Sequence, residues 1–410
     1  MTDSTAEAVE SFRLRARAWL AENMPRVDVD AVPPPPGDDD AEWVRTRELQ
    51  KKLYAGGFAG IAFPSEYGGL GLTPEHQRAF TEESEGYEMP LLLNVPTFSI
   101  CAPTILDMAS EQQKRERISA AIRGDEILVQ FLSEPSGGSD LAGLITRADR
   151  DGDTWVLNGA KTWSTCAYAA DYALCLARTD WDAPKHRGLT MFLVKVHQPG
   201  ITMRRITQVS GSTEFCEEFF DDVVLPADAV VGEVNGGWAV ASRQLFHERT
   251  AVGGGSPYTS GRGTGRVSTP KPDLVQIARA AGRTADPRVR EMLGEGHAME
   301  KVQEQLVRRV SVGLETGQMP SPAASIMRLF HAETDWRVDD LALRIAGALA
   351  VSGEGVGRVG DNYLMRQGAS LGGGSTEMSR NIISERILGM PREYAADRDV
   401  PFSQVKRSRS

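Results

Sequence analysis

Cysteine is scarce in this chain of 410 residues, and the four present, Cys101, Cys166, Cys175 and Cys216, show no C-x-x-C spacing. That pattern argues against both a zinc site and a disulfide framework. Histidine is nearly as sparse: His76, His186, His197, His247, His297 and His331 form no ligand-spaced pair, so no metal site is expected. Apolar runs of the roughly 18 residues that a membrane span needs are not evident, and the opening Met-Thr-Asp-Ser-Thr-Ala-Glu is acidic rather than apolar. A protein without membrane association, in the cytoplasm, is therefore expected. Surplus positive charge is missing too, since the net charge is −10, which speaks against a nucleic-acid surface. The 41% hydrophobic and 25% charged residues are those of a globular protein long enough for two or three domains.

The order of patterns along the chain is helix, strand, helix. Val9, Phe12, Ala16, Trp19 and Leu20 recur at helical spacing and Pro25 ends that segment. Pro33 to Pro36, Gly37 and three aspartates read as a stiff surface connector. Further helices are predicted over 41–55, 74–87, 96–110 and 112–123. From Glu126 short β-branched and aromatic runs at 127–133, 153–157, 172–177, 188–195, 200–207 and 217–224 alternate with turn residues, which predicts a small antiparallel β domain. After Gly236-Gly237 the helical period returns, with Met299, Val302, Leu306, Val310 and Leu314 on one stripe, a helix over 322–350 and a last one from Thr376 to Leu388. The expected fold class is α+β: an all-α domain over 1–125, a β domain over 126–232, a four-helix-type bundle over 233–395 and a disordered basic tail over 396–410.

Chemistry concentrates between Gln130 and Thr165. An apolar strand, Ile127 to Leu132, empties into Ser133, Glu134, Pro135, Ser136, Gly137, Gly138, Ser139 and Asp140, where glycines let backbone N–H groups approach a ligand closely. A second strand, Thr154 to Leu157, leads to Asn158-Gly159, which reads as a hairpin turn. Beyond it stand Trp163, able to stack on a planar heterocycle, and Ser164 and Thr165, able to donate to its edge. Each half alone is more often a plain turn or core residue. Together they suggest a flat, hydrogen-bonding cofactor.

In this order and spacing the two halves resemble the acyl-CoA dehydrogenase family, whose middle domain carries a T/S-E-P-x-x-G-S-D loop and an N-G-x-K-x-W-I/S-T/S segment. The resemblance extends to about residue 395. It implies FAD lodged between the β domain and the C-terminal bundle, an acyl-CoA substrate, and electrons passed to an electron-transfer flavoprotein. It implies flavin contacts from Gln130, Leu132, Ser133, Gly138, Ser139, Trp163, Ser164, Thr165, Ser375 and Glu377, and substrate contacts from Ser139, Arg249 and Gly373. Dehydrogenating a thioester at Cα–Cβ also needs a base for the weakly acidic α-proton and donors for the carbonyl. In the commonest branch that base precedes the last helix, where this chain has Gly373. In the branch of isovaleryl- and long-chain-specific enzymes it precedes an arginine on the first helix after the β domain, which here matches Glu248 and Arg249. Glu248 is therefore the expected base, against the alternative of a surface Glu-Arg pair. His247 is expected on a helix surface or as a cap, and Ser375 and Thr376 as caps of the last helix.

Two family elements are eroded. An R-x-x-F-G element that reaches a neighbouring subunit's FAD is replaced by the glycine-rich Gly253 to Pro270, with Arg262 and Arg266 as possible stand-ins, and a Q-x-x-G-G-x-G turn survives only as Ala346 to Gly355. The resemblance thus implies a homotetramer or, with a related subunit, a heterotetramer that completes the cofactor site. A flavin oxidase or monooxygenase on the same scaffold and a non-catalytic partner subunit stay open.

Overall fold

The computed structural model describes residues 7–27, 40–252, 256–261, 272–353 and 355–405; the proline connector, most of the glycine-rich segment with Arg262 and Arg266, and the basic end Lys406 to Ser410 lie outside them. Phe12, Ala16 and Leu20 fall four residues apart on helix α1 (Val9–Asn23) and are fully buried. They meet α2 (Asp40–Ala55) and α3 (Pro74–Glu83) around the Phe12, Phe58 and Phe80 rings. A π-helical stretch, Asn94–Cys101, runs into α4 (Ala102–Met108), and α5 (Glu111–Gln113) and α6 (Ser119–Arg123) close this helical part. One 18-residue stretch, Leu91–Met108, proves apolar after all, with a mean hydropathy of 1.4; 72% of it is buried inside the fold, so its apolarity serves the core.

The strands are β1 (Leu128–Phe131), β2 (Arg147–Asp151), β3 (Thr154–Thr165), β4 (Tyr172–Arg178), β5 (Leu189–Lys195), β6 (Ile201–Ile206), β7 (Phe215–Pro226) and β8 (Val230–Val231). They form one sheet ordered β6-β7-β3-β2-β4-β5-β8, with β1 also on β4. The sheet is mixed rather than antiparallel, because β1 and β2 both run parallel to β4. Asn158-Gly159 is not a hairpin turn. β3 continues through it for 12 residues and the tight turn falls at Gly152 instead, φ 54°. Asn158 locks across the sheet to Asp222, donating from Nδ2 and accepting from the Asp222 amide at 3.0 and 2.9 Å. Gly159 sits at a register shift where a Cβ would lie 2.7 Å from the Thr146 backbone, so the glycine serves close approach rather than chain reversal.

Among the described residues seven helices follow: α7 (Gly237–Val252), α8 (Leu274–Ala280), α9 (Pro287–Glu315), α10 (Ala324–Ala346), α11 (Leu349–Ser352), α12 (Val359–Met365) and α13 (Thr376–Arg386). α10 is the hub, packing against α7, α8, α9, α12 and α13. The tail expected to be disordered is docked over 401–405. The Phe402 amide donates to the Ala183 carbonyl at 3.0 Å, the Ser403 amide to Trp181 at 2.8 Å, and the Phe402 ring is buried under the Arg178 guanidinium, 3.4 Å away. A buried ring beneath a cation, together with two backbone hydrogen bonds, gives the segment more than its polar composition suggests.

Candidate active site

The loop after β1 is built from beneath. Glu134 and Gly137 exchange backbone hydrogen bonds of 3.2 and 3.0 Å, closing a tight Glu-Pro-Ser-Gly turn. The buried Glu134 carboxylate accepts the amides of Ile145 and Thr146 at 2.7 and 2.8 Å and pairs with the Lys161 ammonium at 3.0 Å. Lys161, fully buried, also donates to the Leu132 carbonyl at 3.0 Å. Burial alone would raise the Glu134 pKa, but Lys161 and the two amides hold it below the ordinary value. The buried Arg178 donates to the Ala142 carbonyl at 2.7 Å and to Leu144 at 3.2 Å, while Lys185 bridges Asp140 and Asp397 at 3.1 and 3.0 Å. Gly138 and Ser139 ride on this frame and are exposed, Ser133 is half-buried, and Leu132 is buried.

β3 supplies the second wall. A bulge between Thr162 and Ser164 puts Trp163 at φ 63° and leaves it 56% exposed, edge-on to Phe215 with centroids 5.8 Å apart. An indole this exposed, in backbone of positive φ, has its ring open to the outside of the chain. Thr165 is half-buried beside it. Ser164 corrects the expectation of a ligand-facing hydroxyl: it is buried and donates to Glu218 at 2.9 Å, because strand alternation turns it away from the side that Trp163 faces.

Glu218 is itself unusual. Burial lifts its pKa to about 8, against the opposing pull of the Ser164 hydroxyl and Lys161 and with help from Glu217. The folded protein therefore holds a proton there that the unfolded chain releases above the usual 4.5. This contribution to stability is complete below 4.5 and is lost as pH rises towards about 8. Glu218→Gln is expected to flatten that decline in a series of urea unfolding curves; an unchanged pH dependence would remove Glu218 from the account.

Glu248 lies on α7, whose side chains at i and i+4 share a face. Its carboxylate accepts from Gln130 Nε2 at 3.3 Å, and Gln130 accepts in turn from the buried Gln244 Nε2 at 3.1 Å. Gln130, expected on a cofactor, thus orients the carboxylate, and Gln244, one turn before Glu248, completes the relay. By accessible surface Glu248 is only half-buried, yet protein atoms crowd its carboxylate from nearly all sides, and the crowding governs its charge. Burial raises its pKa; Gln130, Arg249, Arg328 and the Gly373 amide pull the other way without cancelling the rise. The Gly373 amide, φ 71°, thus stands beside the same carboxylate. Arg249 is half-buried, its Nε without a hydrogen-bond partner, and burial depresses its pKa.

The carboxylate expected on the flavin side behaves oppositely. Glu377 is exposed, and its own amide together with the Ser375 and Thr376 hydroxyls holds its pKa low. Ser375 caps α13, accepting from the Met378 amide at 3.2 Å. His247 is a brace between helices rather than a surface or capping residue: its Nε2 lies 2.7 Å from Asp107 on α4, which Arg243 also holds at 2.5 Å.

Sequence reasoning missed Glu134, Lys161, Gln244 and Arg328. Glu134 and Lys161 stand inside the two motif halves, and a charged residue fixed within each half was the available signal. Arg328 carried none, being an ordinary cation on a predicted helix.

Helices thus precede and follow a mixed sheet, whose β1 leads into the glycine-bearing loop and whose Gln130 meets Glu248 on the first helix after the sheet. The family models for the acyl-CoA dehydrogenase N-terminal, middle and C-terminal domains match residues 7–125, 130–223 and 235–388, and the chain belongs to the acyl-CoA dehydrogenase family. It is 33% identical to acyl-CoA dehydrogenase IpdE1 of Mycobacterium tuberculosis over 394 residues, covering 94% of this chain and 98% of the relative. It is 30% identical to acyl-CoA dehydrogenase FadE29 of the same organism, over 84% of this chain and 89% of that one. Among solved structures, the Tcur3481-Tcur3483 steroid ACAD superposes with a TM-score of 0.74 at 27% identity, covering 96% of this chain and 100% of that one. The ChsE4-ChsE5 complex from Mycobacterium tuberculosis does so with 0.71 at 28% identity over the same shares.

Proposed function

We propose that the chain catalyses FAD-dependent α,β-dehydrogenation of an acyl-CoA thioester, with Glu248 abstracting the α-proton. The observation that carries this reading is the Glu248 carboxylate on the first helix of the bundle, held at 3.3 Å by Gln130 of the sheet, where burial raises its pKa. The residues fit FAD. Trp163 offers an exposed ring, Ser133 and Thr165 offer hydroxyls, and a Cβ placed on Gly137 would meet nothing within 4 Å, so there is open space beside the turn. Trp163, Ser133, Gly138, Ser139 and Thr165 would hold the isoalloxazine, with Leu132, Ser375 and Glu377 around it. Bound there, FAD supplies the acceptor, N5, for the β-hydride, and an electron-transfer flavoprotein takes the electrons onward. Gln130 and Gln244 orient the base, the Gly373 amide donates to the thioester carbonyl, and Arg249 and Ser139 border the substrate. Cytoplasmic location and domain boundaries near 125 and 232 complete the reading.

The partner is proposed to be a related subunit. The two relatives of known structure bear two-component names, and the elements that reach a neighbour's cofactor are eroded between Gly253 and Pro270 and between Ala346 and Gly355. Purifying the chain alone and with candidate subunits, then measuring FAD per chain, tests this: full occupancy in a homotetramer sinks the heteromer. Anaerobic titration with straight, branched and ring-bearing CoA thioesters tests the chemistry. Bleaching is the expected result. Flavin that no thioester bleaches, or rapid oxygen consumption after bleaching, would point away from a dehydrogenase.

A further inference from the structure

The turn that carries Gly373 is closed on its N-terminal side by the Leu371 and Gly372 amides, which donate to the Gly368 carbonyl at 3.0 and 3.1 Å. Leu371, Gly372 and Gly374 are exposed, and Gly373 and Gly374 have φ of 71° and 87°. Three successive glycines leave the chain its greatest conformational freedom at the point where an amide must be aimed. Arg328, on α10 and only 1% exposed, reaches this turn from the bundle. Its Nε donates to the Gly372 carbonyl at 3.0 Å, and its Nη2 donates to the Ala369 carbonyl at 2.8 Å and again to Gly372. The fork thus grips the turn at two carbonyls, three residues apart, immediately before the Gly373 amide.

A guanidinium sunk this deep is expensive to bury, and burial depresses its pKa; Glu248 is the first of the groups that counter the shift, followed by Asp335 on the same helix. Arg328 in turn is among the groups that lower the Glu248 pKa. The charged and titratable groups around Glu248 are Arg249 on α7, Arg328 on α10 and Cys101 at the end of the π-helical stretch. A lysine could supply the charge, but its single ammonium lacks the planar fork that spans two carbonyls.

We propose that Arg328 is a positioning residue for the reaction: it clamps the Ala369–Gly372 turn and so fixes the Gly373 amide that follows, where the carbonyl of a bound thioester would take it up. The proposal rests on the reading of Glu248 as base and Gly373 as carbonyl donor. It gives α10, which lies outside the motif-bearing segments, a part in the site.

The test compares Arg328→Met and Arg328→Lys with the wild-type protein in two measurements. Amide hydrogen exchange of residues 369–374, in protein with and without added FAD, reports the clamp independently of turnover. Arg328→Met should exchange faster there while the sheet amides stay protected. Thioester-dependent flavin reduction reports the chemistry: Arg328→Met should lose about 10²-fold in kcat, the scale of one lost carbonyl donor, with a smaller change in KM. Its rate profile should also shift to higher pH as the base loses a neighbouring cation. Arg328→Lys should keep the wild-type pH profile, yet still exchange faster at the turn and turn over more slowly. Wild-type exchange at 369–374 in Arg328→Met overturns the clamp. If Arg328→Met does not fold, Arg328→Lys decides alone: wild-type exchange and wild-type rate together overturn the proposal. If no thioester reduces the wild-type flavin, the proposed function fails, while the exchange measurement still decides the clamp.

Discussion

Glu248→Gln is expected to slow thioester-dependent bleaching by about 10³- to 10⁴-fold while the protein stays yellow, because it removes the proton acceptor and leaves the volume unchanged. The amide can still meet Gln130, so the relay through Gln244 has a partner and the local packing survives. Glu248→Asp tests position separately from chemistry. It keeps the carboxylate but withdraws it from the substrate, and a misplacement of about 1 Å costs on the order of 10²-fold. Burial raises the Glu248 pKa, so the working, ionised base accumulates only as pH climbs through that raised value, and the reduction rate should rise with it. Stopped-flow bleaching across pH measures both effects. A Glu248→Gln protein that bleaches at the wild-type rate would remove the base from α7. Glu377 is then a poor replacement, being exposed and held at low pKa by its own amide.

The order of layers was legible from hydrophobic period alone, because runs such as Phe12, Ala16 and Leu20 in α1 bury one helical face. The long-range arrangement of the sheet was not. Period-2 patterns carry no partner information, so the insertion of β1 and β2 beside β4 in parallel could not be read from them. Asn158-Gly159 misled for a local reason: the dipeptide suits a turn, but Asn158 found Asp222 across the sheet and Gly159 found the Thr146 backbone. Tertiary contact overrode turn chemistry there.

Within the site, residues named by the motif were legible as a set but not by role. Gln130 turned out to serve the carboxylate rather than border an open face, and Ser164 to serve Glu218, since which way each points depends on strand register and a bulge at Trp163. Arg328 was invisible because its meaning lies in two carbonyls 41 and 44 residues further along the chain.

Lys161→Met should be the most damaging single change outside the base, destabilising the fold by about 3–5 kcal/mol, since it strands a buried carboxylate. Both partners are inaccessible, with side chains 0% and 3% exposed, so solvent cannot take over the lost pairing. The loss would be felt at the ligand loop, because Glu134 ties Ile145 and Thr146 to the Glu134–Gly137 turn and Lys161 ties the Leu132 carbonyl to β3. FAD retention should therefore fall together with the urea midpoint. The sign of the pH dependence follows from the depressed Glu134 pKa: the pair stabilises fully above the ordinary carboxylate value and is lost as pH falls through the lower folded value. Exchanging both members, Glu134→Leu with Lys161→Met, should recover part of the stability, as apolar replacements of buried pairs often do, and should abolish that acid-side loss. It should not recover FAD binding, because Ile145 and Thr146 would have no carboxylate to hold the loop. Restored stability with restored flavin would show the pair to be a core device alone; restored stability with a colourless protein is the outcome expected if the pair fastens the two halves of the motif into one ligand-binding surface.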